Sequence, residues 1–107
     1  MTIDRLIEDC ENILDGLSGF NGEPDFRMAE KQTKQLNQRL ITLDNRISKV
    51  LPYYSSMRVG LMGWSKHHVA HALLKIHMGQ VYEARQQLIS AADSLRKLDV
   101  ALKQALT

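Results

Sequence analysis

The sequence predicts an all-α domain, a compact antiparallel bundle of three to four helices over residues 1–107. Three observations predict it. Apolar residues recur at spacings of three and four through most of the chain, the repeat of a helix with one buried face. The period-two alternation of a half-buried strand is absent from the sequence. The 107 residues, 44% apolar and 24% charged, fit one globular domain that can bury a core without a disulfide or metal staple.

The first helix is marked by Ile3, Leu6, Ile7, Cys10, Ile13, Leu14 and Leu17, a single apolar stripe. Thr2 suits its N-cap, because a hydroxyl accepts from the orphan amides of the first turn. Asp4 complements the positive end of the helix dipole. Gly16 begins the exit, and the glycines and proline of residues 17–24 read as a loop.

The second helix is expected to start near Pro24, whose missing amide proton costs nothing in a first turn. Phe26, Ala29, Thr33, Leu36, Leu40, Leu43, Ile47 and Val50 form a heptad-like seam of about 27 residues, roughly 40 Å long. Pro52 should end it, since the residue before a proline avoids helical geometry. A seam of this length can pair within the chain or with another chain. The other stripes of the sequence supply intramolecular partners.

Residues 52–64 are the least regular. A third helix starts either at Ser55 or Ser56, running through Gly60 and Gly63, or only at Ser65. Each mid-helix glycine costs ~1 kcal/mol relative to alanine. The early start would make this helix nearly as long as the second. Val69, Leu73 and Ile76 then form a stripe that fails at Gln80 and Glu83. A new stripe follows Gly79: Val81, Ala84, Leu88, Ala91, Leu95, Leu98, Leu102 and Ala105. A phase break at a glycine predicts a helix stop and a new helix. A rival phase through His71, Leu74, Met78 and Val81 would carry one helix across Gly79.

The arrangement Gly79-x-Val81-x-Glu83-Ala84, followed by Leu88 and Ala91, resembles the second half of a tetratricopeptide repeat. There the glycine turns between paired helices and the alanines permit close approach. The resemblance covers about 13 residues. Ala72 fits the small position upstream, but His68, His71 and Lys75 stand where that family prefers Trp, Leu and Tyr. There is no second copy, and a solenoid needs about three repeats. The resemblance implies a tight helical hairpin and a tilt toward protein binding.

The net charge of +2 conceals a segregation: residues 1–30 carry about −6 and residues 31–82 about +7. Either the acidic first helix neutralises the basic middle across one surface, or the basic stretch faces an anionic partner. The lone Cys10 fits a reducing, cytoplasmic setting. No apolar run approaches the ~18 residues of a membrane span. Asp4, Glu8 and Asp9 make the N-terminus too acidic for a secretory signal.

Catalysis finds little footing, and no cofactor is expected. Cys10 lies on an apolar stripe among acidic neighbours that discourage a thiolate. No serine occupies a nucleophile elbow and no glycine-rich loop matches a phosphate cradle. The expected role is therefore binding of another protein, a second copy of the chain included. The candidate surface is the aromatic and methionine patch of Tyr53, Tyr54, Met57, Met62 and Trp64, types enriched at protein contacts, with the adjacent basic and histidine-bearing face. The competing expectation places those residues as a cap on the bundle core. A nucleic-acid reading rests on Arg46, Lys49, Arg58, Lys66 and Lys75, with the aromatics as stacking platforms. His67 and His71, four apart on one helical face, could share a transition metal, but a closed site needs further ligands.

Overall fold

The computed structural model describes residues 2–18, 25–51, 54 and 58–106. Among the described residues four α-helices form in chain order: α1 (Ile3–Ser18), α2 (Phe26–Val50), α3 (Gly63–His77) and α4 (Val81–Leu106). A π-helical turn, Arg58–Met62, leads into α3. Each helix packs on its neighbours in sequence, and α4 returns against α1, which closes a four-helix ring. No strand occurs among the described residues.

Local chemistry sets the boundaries. Thr2 Oγ1 accepts from the Arg5 amide at 3.3 Å, opening α1 as expected. The second helix is capped by Asp25, whose carboxylate accepts from the Met28 amide at 3.0 Å. Aspartate is among the strongest N-cap residues. Pro24, the expected start, lies outside the described residues. Leu51 leaves α2 in an extended conformation (φ −112, ψ 110), the geometry required before Pro52.

The third helix is already under way at Gly63, and the π turn continues it back through Gly60, so the later start at Ser65 does not occur. The Ser65 hydroxyl donates to the Leu61 carbonyl at 2.8 Å instead of capping. Gly79 does end the hairpin's first arm. Its φ of +73 is the left-handed conformation that glycine adopts without strain. The Gly79 amide donates to the Ile76 carbonyl (3.0 Å) and the Gln80 amide to the Lys75 carbonyl (2.9 Å). That pair of bonds satisfies carbonyls orphaned at the helix end.

The stripes read from the sequence become the core. Leu6, Cys10, Ile13 and Leu17 meet Leu36, Leu40, Val69, Ala72, Leu88, Leu95 and Leu98, all buried. Val50, at the end of the α2 seam, departs from this pattern and is 71% exposed.

Ion pairs set the antiparallel register. Asp9 of α1 accepts from Arg39 of α2 at 2.6 Å and also pairs with Arg5 at 3.6 Å. Asp44 of α2, fully buried, meets Lys66 of α3 at 3.1 Å, and Glu30 lies 3.5 Å from His77. Glu11 of α1 meets Arg96 of α4 at 3.0 Å. The Asp9–Arg39 pair joins the acidic helix to the basic middle across α1 and α2. Asp44 offsets part of the remaining basic charge from within.

Candidate functional site

Helix α3 carries two unlike apolar faces. At 100° per residue, Ser65, Val69, Ala72 and Ile76 share the inner face, and all four are buried. The opposite side carries Trp64, His67, His71, Leu74 and Met78 within an arc of about 80°. Their spacings of three, four, three and four make a heptad seam. Trp64 is 56% exposed, Leu74 51% and Met78 53%. None of the five is Asp, Glu, Lys or Arg.

The rings on this side contact one another. Trp64 stacks on His68 with centroids 5.8 Å apart and meets His67 edge-on at 5.6 Å. His67 and His71 lie 4.2 Å apart, centroid to centroid. His68 leans toward α4, where its Nδ1 donates to Oε1 of Gln87 at 2.8 Å. His77, at the far end, turns toward Glu30 of α2. The flanking histidines thus tie α3 to its neighbours, while His67 and His71 remain on the outer seam.

Two members of the aromatic and methionine patch expected from sequence lie in the core instead. Tyr54 is 2% exposed and Met62 is fully buried, so both belong to the core. Burying two large apolar side chains is worth roughly 2–3 kcal/mol each, which a connector at the end of the bundle gains by folding inward. Of the proposed patch, Trp64 alone is seen at the surface; Tyr53 and Met57 lie outside the described residues.

The basic set is dispersed. Arg46 is two residues, or about 200°, round α2 from Asp44, so it sits away from the flank that carries Lys66. Lys66 is committed to Asp44. Lys75 lies nine residues, about 13 Å, farther along α3. Lys49 is exposed at the end of α2, and the side chain of Arg58 lies outside the described set. Among the described side chains, Lys66 and Lys75 lie about 180° apart round α3, so these residues do not share one face.

No group of three or more His, Cys, Asp or Glu side chains suited to a metal gathers among the described residues. His67 and His71 are therefore a two-ligand pair within one chain. A polar cleft of about 180 Å³ between α1 and α2 is lined by Arg5, Asp9, Asn12, Ile13, Gln32, Gln35 and Arg39. Its two guanidinium groups both turn to Asp9, so its charge is mostly compensated internally. Cys10 is buried, and burial, followed by the neighbouring Asp9 charge, pushes its thiol up to about 12. A protonated, enclosed thiol is not a nucleophile. No helix among the described residues is long and apolar enough to cross a membrane.

No protein-family model, curated protein or solved structure matches the chain. The expected turn between α3 and α4 forms at Gly79, which provides the left-handed cap, and Ala72, Ala84 and Ala91 are buried.

The outer seam was within reach of sequence reasoning, since its heptad spacing is plain once noticed. It is masked by the inner stripe of the same helix. Two apolar faces on one short helix blur each other's periodicity.

Proposed function

We propose that this chain is a non-catalytic protein-interaction module that docks a helix of its partner on the outer seam of α3. The observation that carries the reading is the solvent-facing heptad of Trp64, His67, His71, Leu74 and Met78 on a helix whose other face is already in the core. A helix seam without formal charge is the surface that a second amphipathic helix covers, knobs into holes. Trp64 is the anchor. Covering its exposed half removes roughly 100 Å² of apolar surface, worth about 2.5 kcal/mol, or a factor of roughly 60 in affinity.

The test is a tagged pull-down from native lysate with nuclease treatment, comparing the natural chain with a Trp64→Glu, Leu74→Glu variant. A discrete protein retained by the natural chain and lost by the variant, with helical circular dichroism unchanged, supports the reading. Retention by both, or recovery that collapses with nuclease, overturns it.

A further inference from the structure

We propose that the helix seated on this seam is α3 of a second copy of the chain, antiparallel to the first, and that His67 and His71 of both copies hold one divalent transition-metal ion between them. This rests on the docking reading above and names its partner.

Four of the five seam residues have the symmetry that self-pairing requires; the fifth, Met78, falls opposite Gly60 of the second copy. In Trp64, His67, His71 and Leu74 the spacings are three, four and three, with large apolar groups outside and imidazoles inside. That order reads the same in either direction. A two-fold interface brings one patch against itself in reverse, so each residue must find its complement in the same list. Antiparallel pairing sets Trp64 against Leu74 of the second copy and His67 against His71 of the second copy. The two-fold axis then lies between the two seams at the level of residue 69, midway between Trp64 and Leu74. No side chain with a fixed charge lies in these layers, so no like charges meet there.

The ligand count points the same way. Rings with centroids 4.2 Å apart already lie side by side, and new χ1 and χ2 rotamers that open them to about 5 Å would present one nitrogen each to a shared ion. Zinc binds imidazole nitrogen at about 2.0–2.1 Å and takes four ligands in a closed site. One chain provides two, and no third His, Cys, Asp or Glu joins them among the described residues. His68 and His77 face Gln87 and Glu30 instead. A second copy supplies the missing pair, giving four imidazoles, a donor set that suits zinc, copper or nickel. The metal would displace protons or water and form no covalent bond between the chains.

The experiment is sedimentation equilibrium on the full chain, with excess chelator and then with Zn²⁺ titrated in, followed by the emission of Trp64, the sole tryptophan. The expected mass is 12.2 kDa in chelator and twice that with zinc, the change complete at one ion per two chains, with the Trp64 emission shifting to the blue. A His67→Ala, His71→Ala variant should stay at 12.2 kDa with zinc, whereas the exposed His77→Ala should still double. A mass that stays at 12.2 kDa at every zinc level overturns the inference, as does doubling that survives loss of His67 and His71 or depends on His77. If the natural chain stays monomeric while Trp64→Glu, Leu74→Glu still abolishes capture of another protein, this inference fails and the docking reading stands. If neither effect occurs, both fail.

Discussion

Tyr54 and Trp64 sit ten residues apart and look alike in sequence, yet the structure assigns them opposite roles. Replacing each by alanine separates them. Tyr54 is 2% exposed and packs into the core beside Met62, so Tyr54→Ala leaves a cavity that neighbours fill only partly. Aromatic-to-alanine changes in cores cost about 3–5 kcal/mol. For 107 residues the unfolding entropy is roughly 0.2 kcal/mol/K, so each kcal/mol moves Tm by about 4–5 °C. Tyr54→Ala should therefore lower Tm by roughly 13–22 °C. Trp64, with more than half its surface in solvent, should cost at most about 1 kcal/mol, a shift of about 4 °C. Thermal melts followed by far-UV circular dichroism, with urea unfolding for the free energies, measure both. Equal losses from the two variants, or a Tyr54→Ala protein within about 1 kcal/mol of the natural chain, would refute the division between core and seam.

Three further outcomes are expected. Lys66→Met removes the cation facing buried Asp44; the loss should be about 2 kcal/mol in urea unfolding, below the roughly 3–5 kcal/mol of a fully buried pair because the Lys66 side chain is 36% exposed. Gly79→Ala should cost about 1–2 kcal/mol, because an added Cβ meets nothing within 4 Å and only the positive φ is strained; Gly79→Asn should recover most of it in the same assay. Cys10 should resist thiol alkylation at neutral pH until urea unfolds the chain. Since its thiol is raised from 9.0 to about 12, the unfolded chain loses that proton first, so stability should fall as pH climbs through this range, with a shallower decline in Cys10→Ala.

Where a helix has one buried face, the sequence shows it plainly. In α1, Leu6, Cys10, Ile13 and Leu17 are all buried, as their spacing requires. Gly79 breaks the phase of the apolar stripe, and the chain turns there. Legibility fails where tertiary contacts decide. Nothing local distinguishes Tyr54 from Trp64, because residues 52–64 carry no clean period. Asp44 looks like a solvated charge on a basic helix; it is buried because Lys66 arrives from 22 residues away. The candidate site is legible only in pieces. His67 and His71 stand out as a pair, but their place in a longer seam emerges once the inner face of α3 is assigned to Val69, Ala72 and Ile76.

On the docking reading proposed above, that assignment separates stability from binding on one short helix. The seat of α3 is fixed by groups that its outer seam does not use. Lys66–Asp44 and His77–Glu30 hold it to α2, His68–Gln87 holds it to α4, and the Gly79 turn fixes its exit. The inner face adds Val69, Ala72 and Ile76 to the core. A helix restrained this way presents its remaining face with little further loss of backbone freedom, so a partner meets an ordered surface and forfeits less entropy on docking. The outer residues are then free of the core's packing constraint. An exposed tryptophan, leucine and methionine on a rigid helix contribute little to the stability of the isolated chain, and their spacing matches a helical partner. It follows that variants of the seam should alter association while leaving the melting transition nearly where it was.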